Sequence, residues 1–89
     1  MIVKIDRSFE KDTHKIKDDS VLEKIADCIE NVQASGEASA IKDIKKLSGF
    51  KNFYRVRIGD YRIGLLIIGD TVQFIRCLHR KDIYRYFPS

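Results

Sequence analysis

The sequence predicts an α+β domain, an antiparallel sheet packed on one face by a two-helix hairpin, in the order β-α-α-β-β-β. Three observations carry that expectation. Phe53 to Ile68 holds two strand-like runs separated by Gly59-Asp60, a dipeptide suited to a two-residue hairpin with glycine at its first central position. Upstream, Ser20-Val21-Leu22-Glu23 reads as a capping box that opens a long amphipathic helix. A short β-branched run precedes that helix and a third strand-like run follows the hairpin, so strands flank the helices. The 89 residues fit one domain, 1–89, with one core.

In chain order, Met1 to Ile5 (MIVKI) is apolar and β-branched and predicts a first strand. Phe9, Thr13 and Ile16 recur at helical spacing and predict an amphipathic helix from about Ser8 to Lys17, broken by Asp18-Asp19. Leu22, Ile25, Ala26, Ile29 and Val32 then form one stripe of a second helix, with Ser20 as its N-cap and its end near Ser35-Gly36. Leu22, Ile25 and Ile29 are expected to bury against Val56, Ile63 and Leu65. Glu37 to Lys51 reads either as a short helical turn marked by Ile41, Ile44 and Leu47 or as an irregular segment with those residues as apolar plugs. The third strand run, Thr71 to Leu78, follows Gly69-Asp70. A two-residue turn there pairs Ile63 with Arg76, whereas a three-residue turn with a bulge sets Arg76 opposite Gly64. Both registers fit the residues.

The hairpin register has a chemical consequence. A two-residue loop at Gly59-Asp60 sets Ile58 opposite Tyr61, Arg57 opposite Arg62, Val56 opposite Ile63 and Arg55 opposite Gly64. Tyr54, Val56 and Ile58 then share one face with Tyr61, Ile63 and Leu65, while Arg55, Arg57 and Arg62 share the other. Directly opposed guanidiniums repel by roughly 0.2–1 kcal/mol, so stability gives no reason for them. A polyanion or an acidic partner does.

Charge follows the same division. Residues 1–41 hold six basic against nine acidic side chains, a net −3, and residues 42–89 hold eleven against four, a net +7. The basic half is the sheet half, the electrostatic footprint of a nucleic-acid or acidic-protein ligand. Lys42, Lys45, Lys46 and Lys51 lead into the arginine-bearing strand as a continuous basic path. Cys28 and Cys77 lack CxxC or histidine-ligand spacing and read as small reduced core residues; neither a metal site nor a cofactor is expected. The longest apolar run, Ile63 to Ile68, is six residues, far short of a membrane span. The start, MIVKIDRSFEKD, has no long apolar core of a signal peptide. A cytoplasmic protein is expected.

Taken together, Lys46-Leu47-Ser48-Gly49, Tyr54-Arg55-Val56-Arg57, Gly59-Asp60-Tyr61-Arg62 and His79-Arg80-Lys81-Asp82-Ile83-Tyr84 occur in an order and spacing that resembles the RelE/ParE superfamily of bacterial and archaeal toxins. The resemblance covers nearly the whole chain. For RelE-type members it implies the toxin of a type II toxin–antitoxin system, a ribosome-dependent endoribonuclease that cleaves mRNA in the ribosomal A site. It implies attack by the ribose 2′-hydroxyl, giving a 2′,3′-cyclic phosphate and a 5′-hydroxyl, and an acidic cognate antitoxin as partner. By position it assigns Arg55 and Arg57 to the basic pair of the second strand, Arg62 to the arginine of the hairpin and Arg80 to the arginine after the last strand. The terminal tyrosine falls on Tyr84 or Tyr86. ParE-type relatives, which inhibit DNA gyrase without cleaving RNA, and a degenerate antitoxin-binding member are the alternatives.

The chemistry fits those positions. A phosphorane gathering negative charge needs bidentate donors, which guanidiniums supply, so Arg57, Arg62, Arg80 and Tyr84 are the expected catalytic set. Lys45, Lys46, Lys51, Arg55, His79, Lys81 and Tyr86 are the expected RNA-binding set. RelE strands carry lysine where Arg55 and Arg57 stand here, and an arginine essentially cannot give up its proton. His79, beside Arg80, has a suitable intrinsic pKa for the vacant base role. His14, on the first helix, reads as surface.

Overall fold

A computed structural model of the chain describes residues 1–88. It contains β1 (Ile2–Ile5), α1 (Arg7–His14), α2 (Asp19–Ala34), a 3-10 turn (Ala38–Ala40), β2 (Ile44–Lys46), β3 (Phe53–Ile58), β4 (Tyr61–Ile68), β5 (Thr71–His79) and α3 (Ile83–Tyr86). The strands make one sheet in the order β1-β5-β4-β3-β2. The α+β class and the three long strands agree with expectation. The sheet is mixed, however: β1 runs parallel to β5, which the helical crossover between them allows, and every other pair is antiparallel.

The β3–β4 hairpin has the expected register, Ile58 opposite Tyr61 through Phe53 opposite Leu66. Gly59 takes φ 56° and Gly69 φ 61° at the first central positions of their turns, a conformation glycine adopts without penalty. At Gly69-Asp70 the turn is two-residue, Ile68 facing Thr71, yet Arg76 stands opposite Gly64. The two sequence alternatives combine, because Phe74 pairs with Leu65 and Ile75 bulges between them. Beyond β1 the outer edge of β5 is covered by α1. There the Ser8 hydroxyl donates to the Ile75 carbonyl at 2.6 Å, and the Asp12 carboxylate accepts the Cys77 N–H at 2.9 Å. Side chains of a helix complete the ladder that a strand leaves open.

Helix α2 begins one residue before the expected cap. Asp18 is the N-cap, its carboxylate accepting from the Ser20 N–H at 2.9 Å and the Ser20 hydroxyl at 2.7 Å. The capping box expected at Ser20 therefore gives way to an Asx-type cap, which satisfies a first-turn donor equally well. Its buried stripe is Ile25, Cys28 and Val32, with Val21, Leu22 and Ile29 half-buried beside it. Ala26, expected in the stripe, is exposed. These residues join Phe9, Ile16, Val56, Ile63, Leu65, Val72, Phe74 and Cys77 in a core between helices and sheet. The uncertain segment 37–51 contributes the edge strand β2, with Ile44 opposite Val56.

The opposite face is also partly covered, which the sequence reading did not foresee. After β5 the chain folds back, burying Ile83 and Phe87 completely or nearly so. Phe87 lies on Gly64, where a Cβ would come within 2.6 Å of its ring. The ring stands edge-on to Phe53 at 5.5 Å. Glycine in mid-strand here makes room for an aromatic side chain.

Candidate nucleic-acid interface

The sheet register arranges the cations in two rows on the face away from α2. One row reads Lys45, Arg55, Gly64, Arg76 across β2, β3, β4 and β5, and the next reads Arg57, Arg62, Leu78. Neighbouring strands lie about 4.8 Å apart, so the charges crowd along a short track. Phe87, seated on Gly64, divides the first row and leaves Arg76 on its far side.

Each guanidinium has a different environment. Arg62 donates through Nη1 to the Gly59 carbonyl at 2.8 Å and the Tyr61 carbonyl at 2.9 Å, local acceptors that offset its position opposite Arg57. Arg55 reaches the Asp43 carbonyl at 3.4 Å. Arg57 is exposed and makes no side-chain hydrogen bond among the described residues, so its donors face solvent. Arg80, at the end of β5, is held to the hairpin turn by its N–H, which donates to the Asp60 carbonyl at 2.7 Å. Its exposed side chain lies 3.8 Å from the Asp60 carboxylate, a pair that water largely screens.

Arg76 entered the sequence reading only as a register marker. In the structure it is the most firmly held cation: Nε donates to Asp12 Oδ2 at 2.8 Å and Nη2 to Oδ1 at 3.1 Å. Asp12 is 6% exposed. Its hydrogen bonds, and then its charge, raise the Arg76 pKa further above the usual arginine range. Tyr86 lies against the same group, with Cζ 5.7 Å from the ring centroid. Asp12 lies three residues after Phe9 on the buried side of α1, but no local pattern in the sequence marks its partner on β5.

The remaining expected residues divide between the faces. His79 pairs with Tyr61, on the face that α2 covers, with ring centroids 5.8 Å apart. Its Nδ1 accepts the Lys81 N–H at 3.2 Å. The bulge at Ile75 causes this, turning Arg76 toward the arginine face and Cys77 and His79 away from it. Lys46 pairs with Tyr54 on the helical face, whereas Lys45 pairs with Arg55 on the cationic one. Lys51 and Lys81 are exposed in the connections flanking the sheet. Tyr84 and Tyr86 are both exposed, at 59% and 47%, and Tyr86 borders a cavity with Arg76 and Phe53. Burial pushes the thiols of Cys28 and Cys77 up to about 11 and about 12, so neither is poised as a nucleophile. Among the described residues no cluster of three potential metal ligands occurs and no helix is long and apolar enough to cross a membrane.

Comparison with known proteins agrees with this architecture. Residues 3–84 match the family described as ParE toxin of type II toxin-antitoxin system, parDE. Over 61 residues the chain is 54% identical to toxin RelE3 of Methanocaldococcus jannaschii, covering 67% of this chain and 69% of RelE3. The structure superposes on a chain of the RelB–RelE antitoxin–toxin complex from Methanococcus jannaschii with a TM-score of 0.82 at 41% identity, over 96% of this chain and 99% of that one. The Escherichia coli RelBE complex gives a TM-score of 0.68 at 21% identity, over 88% and 94%, a likeness of fold. Sheet order, hairpin and family match converge: the chain belongs to the RelE/ParE superfamily and is the toxin of a type II toxin–antitoxin system.

Proposed function

We propose that this toxin is a ribosome-dependent endoribonuclease that cleaves mRNA by attack of the ribose 2′-hydroxyl on the adjacent phosphorus. The observation that carries the reading is the pair of cationic rows, Lys45–Arg55 and Arg57–Arg62, gathered on one exposed sheet face. The 54% identity to a protein named toxin RelE3 favours the same class. In the step, the 2′-hydroxyl loses its proton and O2′ bonds to phosphorus. The P–O5′ bond breaks and the 5′-oxygen takes up a proton. Arg62 and Arg80 hold the scissile phosphate, and Arg57, whose donors are free, neutralises the charge that builds on it. Tyr86, through its place beside Arg76, takes the tyrosine role in preference to Tyr84 and stacks on a flanking base. Lys45 and Tyr86 can exchange a proton where the arginines cannot. The chain has no histidine pair on this face, so the ribosome supplies the RNA geometry. An acidic antitoxin covers the cationic face between rounds of activity, in keeping with the RelB–RelE complex among the similar structures. The cytoplasm, where translation occurs, is the site of action.

Toeprinting on programmed ribosomes tests this. Wild-type protein should cut A-site mRNA, and Arg62→Ala or Arg80→Ala should each lower the rate by about 10²–10³. The family description, ParE toxin, favours a second reading in which the protein inhibits DNA gyrase. Inhibition of supercoiling without mRNA cleavage would establish that reading instead.

A further inference from the structure

His79 lies on the face of the sheet opposite Arg57 and Arg62, beside Tyr61. It nonetheless ends β5 immediately before Arg80, one of the two arginines assigned to the scissile phosphate. The chain turns at once. The Asp82 N–H donates to the His79 carbonyl at 2.8 Å, closing a turn over 79–82 with Arg80 and Lys81 at its centre. Inside that turn, His79 Nδ1 accepts the Lys81 N–H at 3.2 Å. A side-chain acceptor for the N–H two residues on is the contact by which Asp and Asn shape turns. Here an imidazole makes it.

The imidazole is itself held. Its ring stands edge-on to that of Tyr61, its partner across the ladder, with centroids 5.8 Å apart and planes at 71°. The next residue is tied to the hairpin: the Arg80 N–H donates to the Asp60 carbonyl at 2.7 Å. Arg62 addresses the same hairpin turn, its Nη1 donating to the Gly59 carbonyl at 2.8 Å. Both arginines assigned to one phosphate are therefore referred to residues 59–60, Arg62 through its side chain and Arg80 through its backbone. The Arg80 side chain has only the exposed Asp60 carboxylate at 3.8 Å, a contact that water screens. Its direction is set by the backbone it springs from.

We propose that His79 is the positioning residue of Arg80: by holding the Lys81 N–H, its Nδ1 closes the turn that aims the Arg80 guanidinium at the phosphate bound by Arg62. The role uses Nδ1 as an acceptor, with the ring hydrogen on Nε2, and needs no contact between His79 and RNA. Misplacing a phosphate donor by about 1 Å can cost on the order of 10²-fold in rate, so a contact on the far face of the sheet governs the chemistry on the near one. The proposal rests on the endoribonuclease reading for its effect on rate, whereas the order of the turn is a property of the free protein.

Two substitutions separate the acceptor from the ring. His79→Phe keeps a ring beside Tyr61 and removes the acceptor; His79→Asn gives up the ring and sets Oδ1 where Nδ1 stood, the acceptor of an Asx turn. Hydrogen exchange of the Arg80 and Lys81 amides, followed by NMR in the free toxin, reads the turn. Both amides should exchange about three- to tenfold faster in His79→Phe, the size of one net hydrogen bond, and near the wild-type rate in His79→Asn. Toeprinting on programmed ribosomes reads the consequence. His79→Phe should lower mRNA cleavage by about 10–10²-fold, less than Arg80→Ala does, and His79→Asn should recover most of that loss. Amide exchange indifferent to the acceptor overturns the proposal. So does cleavage kept by His79→Phe and lost in His79→Asn, which would assign His79 to packing against Tyr61. Amides that follow the acceptor in a wild-type protein that cuts no mRNA would sustain His79 as the residue that orders Arg80 and remove the endoribonuclease reading. Cleavage unchanged in both variants, with amides that do follow the acceptor, would keep that reading and overturn the link from His79 to the reaction.

Discussion

Gly64 shows how one residue joins stability to the site. Its neighbours across the sheet are Arg55 and Arg76, and Phe87 fills the space above it. A Cβ there would meet the ring carbons at 2.6–2.7 Å, and Phe87, at 2% exposure, has little room to retreat. Gly64→Ala should therefore cost about 1–3 kcal/mol, the usual penalty of overpacking, measured by urea unfolding. It should also loosen the tail, so that limited proteolysis cuts after Arg85 sooner than in the wild type. An unchanged unfolding midpoint would mean that the tail is not anchored there. The identity of Gly64 was legible in the sequence, and so was its place opposite Arg55. Its purpose was not, because Phe87 is 23 positions away along the chain and only the folded tail brings them together. Asp12 was illegible for a similar reason: a carboxylate among helical residues reads as solvated until the edge of β5 is placed beside it.

At the scale of elements, local signals gave the parts and long-range pairing gave the rest. The β3–β4 hairpin was readable because a two-residue turn fixes every facing pair. The parallel pairing of β1 with β5 joins Ile2 to Thr71, and no local pattern encodes such a partner. Strand β2 has three residues with Ile44 alone half-buried, too short for alternation to show. The bulge at Ile75 depends on α1, whose Ser8 holds the displaced carbonyl. Helix α2 carries a sharper test. Its stripe was expected to centre on Leu22, Ile25 and Ile29, but Ile25 is 4% exposed whereas Ile29 is half-buried. Ile25→Ala should destabilise by about 2–5 kcal/mol, and Ile29→Ala by clearly less, in the same denaturant series. Equal losses would put the centre of the helix–sheet contact one turn further along.

For the whole molecule, the division of charge is the property that decides how it meets a ligand. The acidic first half supplies α1 and α2 and the basic second half supplies the cationic sheet face, so a polyanion is attracted to one side and repelled from the other. Among the described residues, Arg76 is already paired with Asp12, whereas Lys45, Arg55, Arg57 and Arg62 have no carboxylate within 4 Å and Arg80 has only the solvent-exposed Asp60 at 3.8 Å. If those five each neutralise one phosphate of a single strand, the logarithm of the association constant should fall with the logarithm of salt concentration at a slope of about −3.5, at roughly 0.7 per contact. Fluorescence anisotropy with a short single-stranded RNA at several salt concentrations measures it. Arg57→Ala should make the slope shallower by about 0.7. A wild-type slope near zero would mean that the cationic rows do not track a phosphate backbone, and the face would then belong to the acidic antitoxin alone.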